Sequence, residues 1–152
     1  MHRLAIAAAT AALGAALAAP AAADIDRVSA EGSVAEVADR LEAAVSEAGA
    51  TVFARVDHGG GAAEAGLELA DAQLLIFGNP QIGTPAMQDD IRAGLFLPLK
   101  LLVHADADGG TWITWEEPEE TFDDLEIDDD AAYLGKMESA LQGFADAAAG
   151  GS

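Results

Sequence analysis

Apolar residues recur at steps of three and four through Val34, Val37, Ala38, Leu41, Val45 and Ala48, the spacing that lays one stripe along a helix. Ser33 and Glu36 stand where a capping box has its two members: the serine hydroxyl accepts from the third helical N–H and the glutamate accepts from the cap's own N–H. Gly49 offers a left-handed exit. The pattern predicts a helix over 34–48. Alternation then takes over, with Val52, Ala54 and Val56 on one face of a strand from Thr51 to His58 that Gly59-Gly60-Gly61 should break. A short helical turn through Ala62–Ala65 ending at Gly66, and a compact apolar strand over 72–77, follow. Thr84 before Pro85 predicts a helix start, because proline at the first helical position loses no bond, with an end near Ala93. Strands are predicted at 97–105 and 111–115, joined as a hairpin through Asp108-Gly109. Tyr133, Met137, Leu141, Phe144 and Ala148 mark a final helix over 131–148.

With a weak strand at 25–30, this order predicts an α+β two-layer sandwich: one mixed, largely antiparallel sheet with helices packed on one face. An α/β doubly wound sheet is the alternative, disfavoured by the tight hairpin.

Composition narrows the partners. The chain has 152 residues, 27 acids against 7 bases and no cysteine. Nucleic acid is excluded as a partner, since it binds through excess Lys and Arg. Disulfides, thiolate metal sites and cysteine catalysis are excluded as well. Ten of the acids and no base fall between Glu116 and Asp130, which reads as a solvated loop. Met1-His2-Arg3, the apolar run Leu4–Ala19 and Ala21-Ala22-Ala23 have the layout of a signal peptide cleaved after Ala23. The run is too short for the roughly 20 residues of a stable span. We therefore expect one domain over 24–152, without a membrane span, in the periplasm or secreted. Removing Arg3 leaves 6 bases against 27 acids, a charge of -21, so self-repulsion at low ionic strength is expected, a charge state compatible with a saline habitat.

Candidate chemistry concentrates at three places. Phe77-Gly78-Asn79-Pro80-Gln81-Ile82-Gly83-Thr84-Pro85 leads from a strand through a glycine loop into a helix, where main-chain N–H groups favour an anion or carboxylate, although neither a Walker loop nor a dinucleotide fingerprint is present. Lys100 interrupts an otherwise apolar strand, so it must pair, reach solvent or shift its pKa. His58 and His104 sit near strand ends and are candidates for acid–base work. Asp106-Ala107-Asp108-Gly109 begins like a calcium loop, but Glu117 at the twelfth position follows a strand instead of the loop's remaining ligands; hairpin chemistry explains it better, and no metal site is expected. Trp112 and Trp115 fall on opposite strand faces, so one is core and the other lines a surface.

The segments Val52-Phe53-Ala54-Arg55-Val56-Asp57-His58, Leu75-Ile76-Phe77-Gly78-Asn79-Pro80, Gly83-Thr84-Pro85-Ala86-Met87-Gln88 and Leu97-Pro98-Leu99-Lys100 together resemble the domain of unknown function 302 family, over about Ser33–Phe144. The resemblance implies a small α+β domain, often bacterial and sometimes exported, able to form homodimers. It implies no established reaction and leaves any cofactor unknown. The positions matching the family's motifs are His58, Gly78, Asn79, Pro80, Gly83, Thr84, Pro85, Met87 and Lys100. Trp115 stands where the family pattern has tyrosine, and the 116–130 segment is more acidic than that pattern. Two functional readings stay open. One is a non-catalytic module binding a small anionic ligand or a partner at the 78–84 loop through Gly78, Asn79, Gly83, Thr84, His58 and Lys100. The other is an enzyme using His58 as acid or base and Lys100 as electrostatic clamp or nucleophile.

Overall fold

The structure, a computed structural model, describes residues 25–150; the expected signal peptide lies outside the described residues. Among them no helix is long and apolar enough to cross a membrane. Five strands, β1 (Ile25–Ala30), β2 (Thr51–Asp57), β3 (Ala72–Gly78), β4 (Leu99–Ala105) and β5 (Thr111–Glu116), form one sheet in the order β1-β5-β4-β3-β2. Every ladder is antiparallel, so the sheet is α+β as expected but not mixed. The cause is the connection through α1 (Val34–Glu47): it carries the chain from one sheet edge to the other, so β1 and β2 run in the same direction with three strands between them.

Parity along the strands sorts the two faces. Leu75, Phe77, Leu101, Val103, Ile113 and Trp115 are buried under α1 and α5 (Ala132–Ala149), against Val37, Leu41, Val45, Leu141, Ala145 and Ala148. A fully buried side chain of this kind contributes about 1.5–3 kcal/mol. The face turned away from α1 and α5 shows Ala54, Val56, Leu74, Ile76, Lys100, Leu102, His104, Trp112 and Thr114, most of them half-buried. Trp115 is the core tryptophan. Trp112 lies on the opposite face, donates from Nε1 to Asp106 Oδ2 at 2.8 Å and stacks beneath the Arg27 guanidinium at 4.5 Å.

The α1 capping box is present in both halves, and the helix ends at Glu47. Several boundaries differ from expectation. Strand β2 ends before the triple glycine as expected, but the glycines themselves join α2 (His58–Glu64), which starts earlier than the expected 62–65 turn because Asp57 caps it by accepting from Gly60 N at 2.8 Å. A Cβ at Gly60 would lie 2.7 Å from Asp57 Oδ2, so the cap needs glycine there. Helix α3 spans Pro80–Asp89, not 84–93. Of two competing starts, the earlier wins: Asn79 caps by accepting from Gln81 N at 2.9 Å, Pro80 takes the first position, and Pro85 lies inside the helix. A 3-10 turn at Ile91–Leu95, capped by Asp90, follows, and β4 begins only at Leu99. The acidic segment is not a free loop either. Helix α4 (Pro118–Phe122) has Glu119 and Glu120 in its first turn, where the helix dipole favours them. Phe122 is buried, and Leu125 and Ile127 pack with it onto a second core beside Ala86, Ala93, Leu134 and Met137.

Candidate functional site

Strand β3 brings Gly78 to the end of the sheet and the chain turns at once into α3. Around that turn a groove of about 390 Å³ opens, within the range usual for small-ligand sites. One wall is Gly78, Asn79, Pro80, Ile82, Gly83, Thr84 and Met87; the facing wall is Leu97, Pro98 and Leu99; the floor is Phe77 with Met137, Ala140 and Phe144 of α5; Ala48, Ala50 and Phe53 close the remaining side. Phe77 and Phe144 meet edge to face with ring centroids 5.4 Å apart. Phe53 sits at a bulge in β2 and is 58% exposed, forming an apolar lip. The glycines set the width. A Cβ at Gly78 would touch Pro98 and Phe53 at 3.4 and 3.5 Å, and one at Gly83 would touch Leu97 at 3.5 Å.

No charged side chain lines this groove. At the start of α3 the main-chain donors are engaged locally: Pro80 has no N–H, Gln81 N donates to the Asn79 side chain, and Ile82 N and Gly83 N both donate to Asn79 O at 2.9 and 3.0 Å; the polar side chains in the lining are those of Asn79 and Thr84.

Two contacts fix the groove's walls to the rest of the molecule. Asp90, buried, accepts from the Arg92 side chain and main chain and from Glu126 N at 3.0 Å, tying the loop before β4 to the acidic segment. These bonds, the Arg92 guanidinium first, hold its carboxyl far below the ordinary range. Tyr133 donates to Asp89 at 2.7 Å and joins the end of α3 to the start of α5. Burial first, then that bond to the carboxylate, pushes the phenol up to about 12.

Of the residues singled out by sequence, Gly78, Asn79, Gly83 and Thr84 line one groove, together with the motif positions Pro80 and Met87. Lys100 and His58 do not join them. Lys100 lies on the sheet face turned away from α1 and α5, paired in register with Ile76, and donates to Phe96 O at 3.2 Å. His58 is exposed at the first turn of α2. The β2–β3 ladder runs from Thr51↔Gly78 to Asp57↔Gln73, which at strand rise puts His58 roughly 20 Å from the groove end. His104 is engaged through both ring nitrogens, with Thr114 Oγ1 at 2.9 Å and Ala105 O at 3.3 Å. Asp106 accepts from Asp108 N, Gly110 N and Trp112 Nε1, bonds that lower its pKa and shape the hairpin, whose Gly109 has φ of 84°. Among the described residues no cluster of metal-ligating side chains exists. Sequence reasoning missed Phe53, Leu97, Met137, Ala140 and Phe144 as groove residues; the out-of-phase Phe53 beside Val52 was the one local signal.

The fold and groove define a small two-layer α+β domain with an apolar site at the end of its sheet. The chain belongs to the family described as domain of unknown function DUF302, whose model matches residues 25–147. A DUF302 protein from Bacillus stearothermophilus, described as an uncharacterized conserved protein, has the same fold, with a TM-score of 0.74 and 22% identity over 82% of this chain and 97% of that one. The chain is also 50% identical over 86 residues, 57% of its length, to proteins named fluoride-specific ion channel from Brucella suis and Brucella abortus, of which it covers 34% and 32%. It thus spans about a third of those curated relatives.

Proposed function

We propose that this domain is a non-catalytic binding module whose groove at the 78–84 loop takes the apolar part of a small ligand. The observation that carries the reading is the groove itself: four separate stretches of chain enclose about 390 Å³ with aromatic, Leu, Ile, Met and Pro side chains and no charge. Enclosure by a pre-built apolar wall is what small-molecule binding requires. The enzyme reading has less behind it. An acid–base residue must come within hydrogen-bond reach of the reacting group, and neither His58, at the start of α2, nor Lys100, on β4, lines the groove.

The Brucella relatives add a setting to this proposal. Their names describe an ion channel, and the part shared with this chain is about a third of each. In that setting the module serves as an accessory to a membrane protein, with the domain on the exported side, in keeping with the leader-like start of the sequence. Pairing into homodimers, which the family resemblance implies, belongs to the same proposal.

Native mass spectrometry of the protein purified from its own exported compartment tests these points together. The expected spectrum shows a chain beginning near Asp24 that retains an apolar small molecule, displaced when Ala140→Trp fills the groove floor. A chain that carries nothing, or whose bound molecule is unaffected by Ala140→Trp, contradicts the groove reading.

A further inference from the structure

We propose that a second groove, between Lys100 of β4, the end of β5 and helix α4, binds a small monocarboxylate with an apolar chain, its carboxylate held by Lys100. This site is separate from the groove at the 78–84 loop. It measures about 270 Å³, and its walls include Leu74, Phe96, Leu102 and Thr114 around Lys100, with Trp115 and Phe122 from the core side and α4.

The argument rests on the company Lys100 keeps. In a chain with 27 acids and 7 bases, a base has carboxylates to choose from, and Arg55 and Arg92 pair with them. Arg40 caps main-chain carbonyls, and Arg27 covers Trp112. Lys100 is half-buried, and among the described residues no carboxylate stands within 4.0 Å of its Nζ. Even Glu116, which shares the groove lining, is not paired with it. An ammonium has three donors, and one of them reaches Phe96 O at 3.2 Å. Two donors therefore remain for an incoming acceptor.

The class of ligand follows from the same features. A single lysine is one point charge without the fork of an arginine, which suits one carboxylate rather than a phosphate. A net charge of -20 repels a polyanion more than a monoanion. The apolar walls take the chain attached to that carboxylate.

Isothermal titration calorimetry of the full chain with octanoate and with 1-octanol at neutral pH tests this, because the two probes share the apolar chain and differ in the head. Octanoate is expected to bind about tenfold or more tightly than the alcohol, the size of one charge-assisted hydrogen bond. Lys100→Met should remove that preference while leaving octanol binding in place, and Lys100→Arg should restore it. Ala140→Trp should leave octanoate binding unchanged, which separates this site from the groove at the 78–84 loop. Octanoate binding that is absent or no tighter than octanol in the unmodified protein overturns the proposal without any variant. So does a preference that survives in folded Lys100→Met or disappears in Ala140→Trp.

Discussion

The two ends of the β2–β3 ladder carry the two kinds of feature that invite a functional reading, and they differ in build. At the Gly78 end β3, α3, the 97–99 stretch, the β2 bulge and α5 converge, and they enclose space. At the His58 end a seven-residue helix caps itself through Asp57, none of its residues is buried, and the histidine faces solvent. The chemically versatile residue is at the open end, and the enclosed end has no titratable side chain in its lining. A site needs desolvated space before it needs a reactive group, since interactions gain strength only where water is excluded.

The comparison can be broken from either side. Phe77→Ala strikes the enclosed end hardest: Phe77 is 1% exposed, meets Phe144 edge to face and belongs to both the core and the groove floor. The loss should be about 3–5 kcal/mol, read by urea denaturation, together with loss of groove binding. A cost under about 1 kcal/mol would mean that this end is not packed as described.

Asp90→Asn acts on the loop behind the groove wall through pH. The Asp90 carboxyl is held far below its ordinary value of 3.8, so the folded state binds its proton less readily than the unfolded chain. Its stabilising contribution is therefore complete above the ordinary value and is lost as pH falls below it toward the depressed folded value. Asp90→Asn should melt at a lower temperature than the unmodified protein at pH 7, and the gap should narrow as the buffer is taken from pH 5 toward pH 2. A gap that stays constant with pH would remove the charge from the explanation.

Salt sharpens the comparison over the whole surface. With a formal charge of -20, the melting temperature should rise between roughly 10 mM and 1 M salt as the Debye length contracts from about 30 to 3 Å. A flat or falling trend would show that repulsion does not limit stability.

His58→Gln should produce the smallest effect, within about 0.5 kcal/mol in stability and with no change in groove binding. A clear loss of binding would join the two ends after all.

Much of this was legible in the sequence where the physics is local. The α1 stripe and its capping box, the β3 run, the Asp108-Gly109 hairpin and the α5 stripe each depend on neighbours a few residues apart, and each formed close to its expected place. The α3 start was misplaced because Asn79-Pro80 and Thr84-Pro85 carry the same signal five residues apart, and tertiary packing of Ala86 and Met87 on the second core goes with the first. The acidic count hid the apolar Phe122, Leu125 and Ile127 that anchor the 116–130 segment. Lys100 and His58 looked close to the glycine loop because they share motifs along the chain. Strand parity separates Lys100 from the core side that holds Leu101 and could have been read; the sheet order that turns Lys100 away from α1 and α5 could not.

The central claim is that the groove at the 78–84 loop, not the His58 end, is where a ligand binds. Titrating the isotope-labelled protein with 1-naphthol and following backbone and methyl signals by NMR tests it most directly. The account predicts shifts concentrated at Phe53, Gly78, Gly83, Leu97 and Phe144, suppressed in Ala140→Trp, with His58 and the rest of α2 unmoved. Shifts centred on α2, or an undiminished response in Ala140→Trp, would contradict it.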